Sequence, residues 1–306
     1  MVSRIVHPFM LLCGTVLSTT VTANDCMNST TTSTTMPCET TDQLHLSVAM
    51  GAGFRSNPLH GGRHFPLWLM PDIAYYSQHW FFDNGTLGTS WTLNNTLTLS
   101  LVSRFNEEQG YFRRSAPSNL ISSGQRIGNA EEAGPFQQQE SSFDGAYVDI
   151  SQVEKRPWAL DGGLQLDWQQ ANWQLRANWW HDLSQEYQGS HAKITAAYHL
   201  SHQTGDWGMS AALAWKSAKL LNRYYGLSEA DGGNPDVAVA GLQPEVGIHW
   251  SYALDAQWSL LSLYRYRWLQ IDLKNTQDAA AAVEQSPLLA ESFVRSWFFG
   301  VSYRFY

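Results

Sequence analysis

Leu160-Asp161-Gly162-Gly163-Leu164-Gln165-Leu166-Asp167-Trp168-Gln169-Gln170-Ala171-Asn172-Trp173-Gln174-Leu175-Arg176-Ala177-Asn178-Trp179-Trp180 is two alternating runs joined by a short polar link. In the first run Leu160, Leu164, Leu166 and Trp168 take one face, and Asp161, Gln165, Asp167 and Gln169 take the other. In the second, Trp173, Leu175, Ala177 and Trp179 oppose Gln174, Arg176 and Asn178. Side chains on a strand alternate between two faces, so period two predicts strands with one apolar and one polar face. The same pattern recurs over Leu44–Arg55, Ala192–Leu200, Trp207–Trp215 and Val246–Tyr252. No window carries a sustained helical period. The expectation is twelve strands, at 43–55, 67–77, 79–84, 87–93, 96–105, 157–169, 172–183, 190–202, 206–218, 242–254, 257–270 and 293–305. The pair at 79–84 and 87–93 is short for a membrane crossing, which takes roughly 9–11 residues.

The links divide into two kinds. Gln170-Ala171-Asn172, Gln203-Thr204-Gly205-Asp206 and Asp255-Ala256 are tight, and an aromatic follows each: Trp173, Trp207 and Trp258. Asn106–Arg156, Leu227–Ala240 and Asp272–Glu291 are long and polar. Short turns at one end and long loops at the other mark an all-β, antiparallel up-and-down barrel of the outer-membrane type, with the short turns in the periplasm. Composition agrees. The 306 residues hold 14 Trp, 13 Tyr and 13 Phe but only 15% charged residues. Beyond the N-terminus no run of about twenty apolar residues offers a spanning helix. The net charge of −8 gives no basic surface for nucleic acid.

The N-terminus reads as a secretory signal over 1–23, with Arg4, an apolar run from Ile5 to Leu17 and a small-residue site at Val21-Thr22-Ala23. Residues 24–42 form a polar, low-complexity segment ahead of a barrel at 43–306. Cys26 and Cys38 lie in that segment. In an oxidising compartment they are candidates for a small disulfide loop; two unpaired thiols is the alternative.

The last strand alternates Trp297, Phe299, Val301, Tyr303 and Phe305. This resembles the C-terminal signal that outer-membrane barrels present to their assembly machinery, with Tyr306 as an extra residue. Further segments resemble the MipA/OmpV family of MltA-interacting outer-membrane proteins. They are Gly51-Ala52-Gly53-Phe54-Arg55 with Asn57-Pro58 and Gly61-Gly62, then Pro66-Leu67-Trp68-Leu69-Met70-Pro71-Asp72-Ile73 and Trp80-Phe81-Phe82-Asp83-Asn84-Gly85. Later come Tyr224-Tyr225-Gly226-Leu227-Ser228-Glu229-Ala230 and Gln285-Ser286-Pro287-Leu288. The resemblance covers about 44–306. It implies an outer-membrane barrel and, in the family's named member, a scaffold that brings a lytic transglycosylase to a murein synthase. The loop at 106–156 is larger than usual for the family.

No catalytic, cofactor or metal constellation stands out. His60 and His64 flank Gly61-Gly62-Arg63 without further ligands nearby, and Asp231, Asn234 and Asp236 lack the spacing of a calcium loop. Ser100 and Ser210 fall on the inward face but belong to no Ser-His-Asp arrangement. The reading is therefore not an enzyme. Alternation places Arg55, Arg104, Arg176, Lys193, Lys216, Arg265, Arg267 and Arg304 in the lumen, against Asp161, Asp167, Asp182 and Glu245, a net basic lining. Neighbouring strands pair Glu245 with Arg265 and Arg267, and Asp161 or Asp167 with Arg176. Two functions stay open: a plugged scaffold linked to murein hydrolysis and synthesis, and a narrow anion-preferring pore for small solutes. The partners expected are outer-membrane lipid and lipopolysaccharide, the barrel assembly machinery and, through the resemblance, a murein hydrolase and synthase.

Overall fold

The computed structural model describes residues 42–112, 148–154, 156–227, 236–275 and 284–305. The expected signal at 1–23, Cys26 and Cys38 lie outside these residues. Twelve strands close into one antiparallel barrel. They are β1 (Gln43–Arg55), β2 (Phe65–Tyr76), β3 (Phe81–Asp83), β4 (Thr86–Asn94), β5 (Leu97–Phe105), β6 (Leu160–Gln170), β7 (Trp173–Asp182), β8 (Ser190–His202), β9 (Gly205–Lys216), β11 (Gly241–Ala253), β12 (Trp258–Trp268) and β15 (Phe293–Arg304). The first and last strands close the wall, from Ser47 opposite Arg304 to Arg55 opposite Ser296. A hydrocarbon environment leaves no water for backbone groups, and closure satisfies them within the sheet.

The alternation sorts the faces as the sequence suggests. Trp68, Leu87, Leu101, Leu164, Ile194, Leu213 and Phe299 are all at least 46% exposed, on one continuous outer wall. A soluble monomer does not carry so much contiguous apolar surface, so this wall meets lipid. Aromatics cluster near the short-turn end: Trp173 with Tyr198, Trp207 with Trp250, and Trp258 with Tyr303. The expected assembly residues share this outer face, with Trp297, Phe299 and Phe305 exposed and Tyr303 edge-on to Phe305.

Tight turns use the residues their backbone needs. Asn84 and Gly85, both at positive φ, join β3 to β4, where glycine adopts that conformation without steric cost. β3 itself is a stub. It pairs with β2 only over Ala74–Tyr76, so the strand expected at 79–84 shrinks to three residues. From Phe65 to Asp72, β2 has no strand partner on that side among the described residues. The Ile73 N–H donates to Asn84 Oδ1, and the Ile73 carbonyl accepts from the Asn84 N–H. Two residues back, Pro71 turns the same way, and its missing N–H removes one donor from the free edge.

Two further expectations need correction. A helix, α1 (Ala218–Tyr225), follows β9, and a three-stranded sheet of β10 (Asp236–Ala238), β13 (Asp272–Asn275) and β14 (Glu284–Gln285) forms in segments read as loops. Ser217 caps α1, its hydroxyl accepting from the Leu220 N–H. The helix buries Leu220, Leu221, Tyr224 and Tyr225. With only two turns it is too short to show a sustained period, which is why alternation hid it. These elements cap the long-loop end over a core of Leu59, Phe65, Tyr111, Ile271, Leu273 and Leu288.

A second, smaller core lies inside the barrel, where Phe298 packs on Ala49, Leu67 and Leu263. A β-carbon at Gly51 or Gly300 would stand 2.9 or 2.7 Å from the tip of the Phe298 ring, so both glycines clear its seat. Phe298→Ala should cost about 3–5 kcal/mol of stability, read as a lower urea midpoint for the refolded barrel. An unchanged midpoint would mean the ring does not hold the lumen.

Candidate functional site

The site is the lumen, and the strands and the first long loop build it together. Residues 106–112 leave β5 and fold inward as a 3-10 turn, Glu108–Tyr111, whose residues are all buried. Asn106 starts this turn. Its side-chain oxygen accepts from the Glu108 N–H, and its amide donates to Asp161 Oδ2 at 2.8 Å. The turn delivers two carboxylates to the basic wall. Glu107 Oε1 lies 2.7 Å from Arg104 Nη1. Glu108 pairs with Lys216 through Oε1 and accepts from the Tyr225 hydroxyl through Oε2, 2.7 Å away.

Glu245 is the hub on the opposite wall. Its carboxylate meets Arg267 Nε at 2.6 Å, Lys193 Nζ at 3.0 Å and Arg265 Nε at 3.6 Å. Arg265 and Arg267 come from β12, the strand next to that of Glu245, and Lys193 comes from β8, one strand beyond β9 on the other side. Position 245 faces Arg267 directly and Ala212 on β9, and the small Ala212 leaves room for Lys193 to reach across. Of the two expected partners for Arg176, the structure selects Asp167, directly opposite in register. Asp161 instead is wholly buried and takes Tyr187, Asn106 and His191 at 2.6, 2.8 and 2.9 Å. Asp182 is buried too, but in the β7–β8 link, accepting from Ser184, Tyr187 and Gln188. Arg55 stacks over the Tyr111 ring at 4.6 Å and Arg104 over Trp180 at 4.5 Å. Arg304 is on the inward register but exposed at the short-turn mouth.

Alternation therefore finds the cations and half the anions. It misses Glu107 and Glu108, which arrive from a loop, and Asp72 and Asp83, which face the lumen around Asn84. Asn84 donates 2.6 and 3.1 Å hydrogen bonds to these two carboxylates. With those four acids the lining is no longer net basic: the eight bases named above face eight acids among the described residues, and Asp206 at the short-turn mouth adds a ninth. Arg156, at the far end of the same loop, donates to the carbonyls of Tyr224 and Gly226 at 3.1 and 3.0 Å and ties the loop to α1. Ser100 is buried and its hydroxyl pairs with that of Ser90 at 2.8 Å, a structural contact. His64 accepts from the Asn57 N–H at 3.0 Å. Among the described residues no group of three or more His, Cys, Asp or Glu side chains could hold a metal ion.

The plug's electrostatics carry a pH dependence. The Arg104 guanidinium holds the Glu107 carboxyl below its ordinary value of 4.5, against a smaller effect of burial. For Glu108 burial pushes upward, but the Lys216 ammonium and the hydrogen bonds from Lys216 and Tyr225 outweigh it and keep the carboxyl low.

A family model described as MltA-interacting protein MipA matches residues 48–305. The chain belongs to the MipA family. It is thus an outer-membrane β-barrel of the MipA family, with its fold as that resemblance implies. No curated protein matches the chain. Among solved structures it is similar to an outer membrane channel from Pseudomonas putida F1, 12% identical over 88% of this chain and 97% of that one, with a TM-score of 0.34. It is also similar to a porin, 7% identical over 86% and 99% of the two chains (TM-score 0.35), and to a FadL homologue from Pseudomonas aeruginosa, 10% identical over 85% and 89% (TM-score 0.33).

Two outcomes test the plug of this MipA-family barrel. Glu245→Gln leaves Lys193, Arg265 and Arg267 without their carboxylate and should lower stability by about 3–5 kcal/mol. Urea unfolding measures it; a neutral result would mean water already screens the cluster. Glu107 and Glu108 have depressed folded values, so their contribution is present above the ordinary carboxylate range and is lost as pH falls below it. Stability measured down a pH series should drop below pH 4.5, and the drop should shrink in Glu107→Gln plus Glu108→Gln.

Proposed function

We propose that this protein is a closed scaffold of the outer membrane that holds a murein hydrolase at its periplasmic end. The reading rests on the filled lumen. The 3-10 turn at 108–111 and its carboxylates occupy the barrel interior, α1 and the small sheet cover the long-loop end, and Phe298 packs on Leu263 and Leu67 inside the wall. A lining whose charges are spent on one another has few left to draw solute ions through. The partner follows the description of the family, MltA-interacting protein, and its class is a murein hydrolase. Such a partner works on the murein side of the membrane. The short-turn end suits it, because short turns belong to the periplasm. That end offers a ring of polar, exposed links at Asn94-Asn95, Ala171-Asn172, Gln203-Thr204 and Asp255–Gln257. The strand that ends in Tyr303 and Phe305 supplies the signal read by the assembly machinery.

Photo-cross-linking residues at Asn95, Gln203 and Gln257 should capture a lytic transglycosylase in cells, whereas a residue at Ile150, in the long loop, should not. Capture from Ile150 alone would reverse the orientation and the docking surface. In planar bilayers the purified barrel should show no steady conductance; a stable open channel would replace the scaffold with a pore.

A further inference from the structure

The inward face of three adjacent strands holds a feature that neither the plug nor the scaffold reading uses. His199 on β8, Gly208 on β9 and His249 on β11 are directly opposite one another in register. All three point inward, because Trp207 and Met209, on either side of Gly208, are on the exposed outer wall. The central position has no side chain, and the neighbours' rings share its space. A β-carbon at 208 would sit 1.8 Å from His249 Cε1 and 2.4 Å from Nδ1. The imidazole thus lies over the glycine and leans toward His199, with ring centroids 5.8 Å apart and planes 59° apart.

Neither imidazole has a hydrogen-bond partner among the described residues, and His199 Nε2 is shielded from solvent besides. This is unlike His191, another histidine of the lumen, whose Nε2 meets Asp161. The separation excludes a direct ring-to-ring hydrogen bond but suits an ion between them. Two imidazoles that share one metal at about 2.1 Å per nitrogen have centroids roughly 5–6.5 Å apart. Asp206 is on the central strand, two residues toward the short-turn mouth on the same inward face, and exposed. It places an oxygen donor beside the entrance.

We propose that His199 and His249 form a binding site, entered from the short-turn mouth, for a divalent transition metal of the copper or zinc type. Neutral nitrogen donors select that class over magnesium and calcium, which take oxygen. Water would complete the coordination, and the exposed Asp206 carboxylate stands nearer the mouth, on the ion's path rather than in its ligand set. Gly208 is part of the site because it gives the His249 ring its seat.

The test uses tag-free, refolded barrel and copper(II) or zinc(II) chloride. Isothermal titration should give one saturable equivalent, and the copper form should show nitrogen couplings of two imidazoles in its electron paramagnetic resonance spectrum. His199→Gln and His249→Gln should each weaken binding by roughly tenfold or more and remove one nitrogen from the spectrum. Gly208→Ala, which retains both ligands but displaces the His249 ring, should weaken it as well. His202→Gln, at the exposed end of β8, should change nothing. Heat-modifiable migration on gels shows that each variant is folded. No saturable binding to folded wild-type protein would overturn the site, as would binding that the His199 and His249 variants leave unchanged.

Discussion

Everything in this molecule follows from the requirement that a sheet in lipid leave no backbone group unpaired. Twelve strands meet it by closing, with Phe65–Asp72 of β2 left paired to β1 alone, and closing creates an interior. The alternation that sends Leu164, Ile194 and Leu213 outward must send every second residue into that interior. Those residues are polar because they do not meet lipid, yet most of them do not meet bulk water either. The barrel's second problem is therefore to satisfy the charges its first solution encloses.

The chain solves it with material from outside the wall. The strands bring an excess of arginine and lysine; the segment after β5 returns with Glu107 and Glu108. Glu245 alone faces Lys193, Arg265 and Arg267, a concentration of positive charge that one carboxylate neutralises only in part. Glu107, beside Arg104 and within the field of Arg267, Lys193 and Arg55, supplies the remainder. The 3-10 turn is thus fixed by charge from the wall side and by burial of Tyr111 from the cap side. This coupling makes the plug part of the folded barrel. It also explains why the loop end has a true hydrophobic core, with α1 lying on its own apolar stripe.

The wall was legible in the sequence because a strand's two faces alternate with period two, and a one-residue slip would invert them. Strand number and the closing strand follow from that alone, whereas for Arg176 it leaves Asp161 and Asp167 both open and the register decides for Asp167. What alternation could not supply were contacts made across the interior. Asp161 is one of two candidates for Arg176 by alternation, but Tyr187, Asn106 and His191 reach it from other segments. Glu107 and Glu108 carried one usable signal: two acids directly after a strand that ends in Arg104-Phe105. The pairing of Leu220 with Tyr224 and of Leu221 with Tyr225, each four apart, was the trace of α1. Position 208 was invisible, since only the register shows what a glycine leaves room for.

The stub of β3 has a mechanical consequence. Eleven residue pairs bind β12 to β15, but only three bind β3 to each of its neighbours, β2 and β4. A hoop under tension fails at its thinnest joint, and local opening likewise begins where the fewest hydrogen bonds must break. The barrel is therefore stiff on one flank and compliant on the other. Local opening under lateral strain from the bilayer is cheapest on either side of β3, far from the strands that hold His199 and His249.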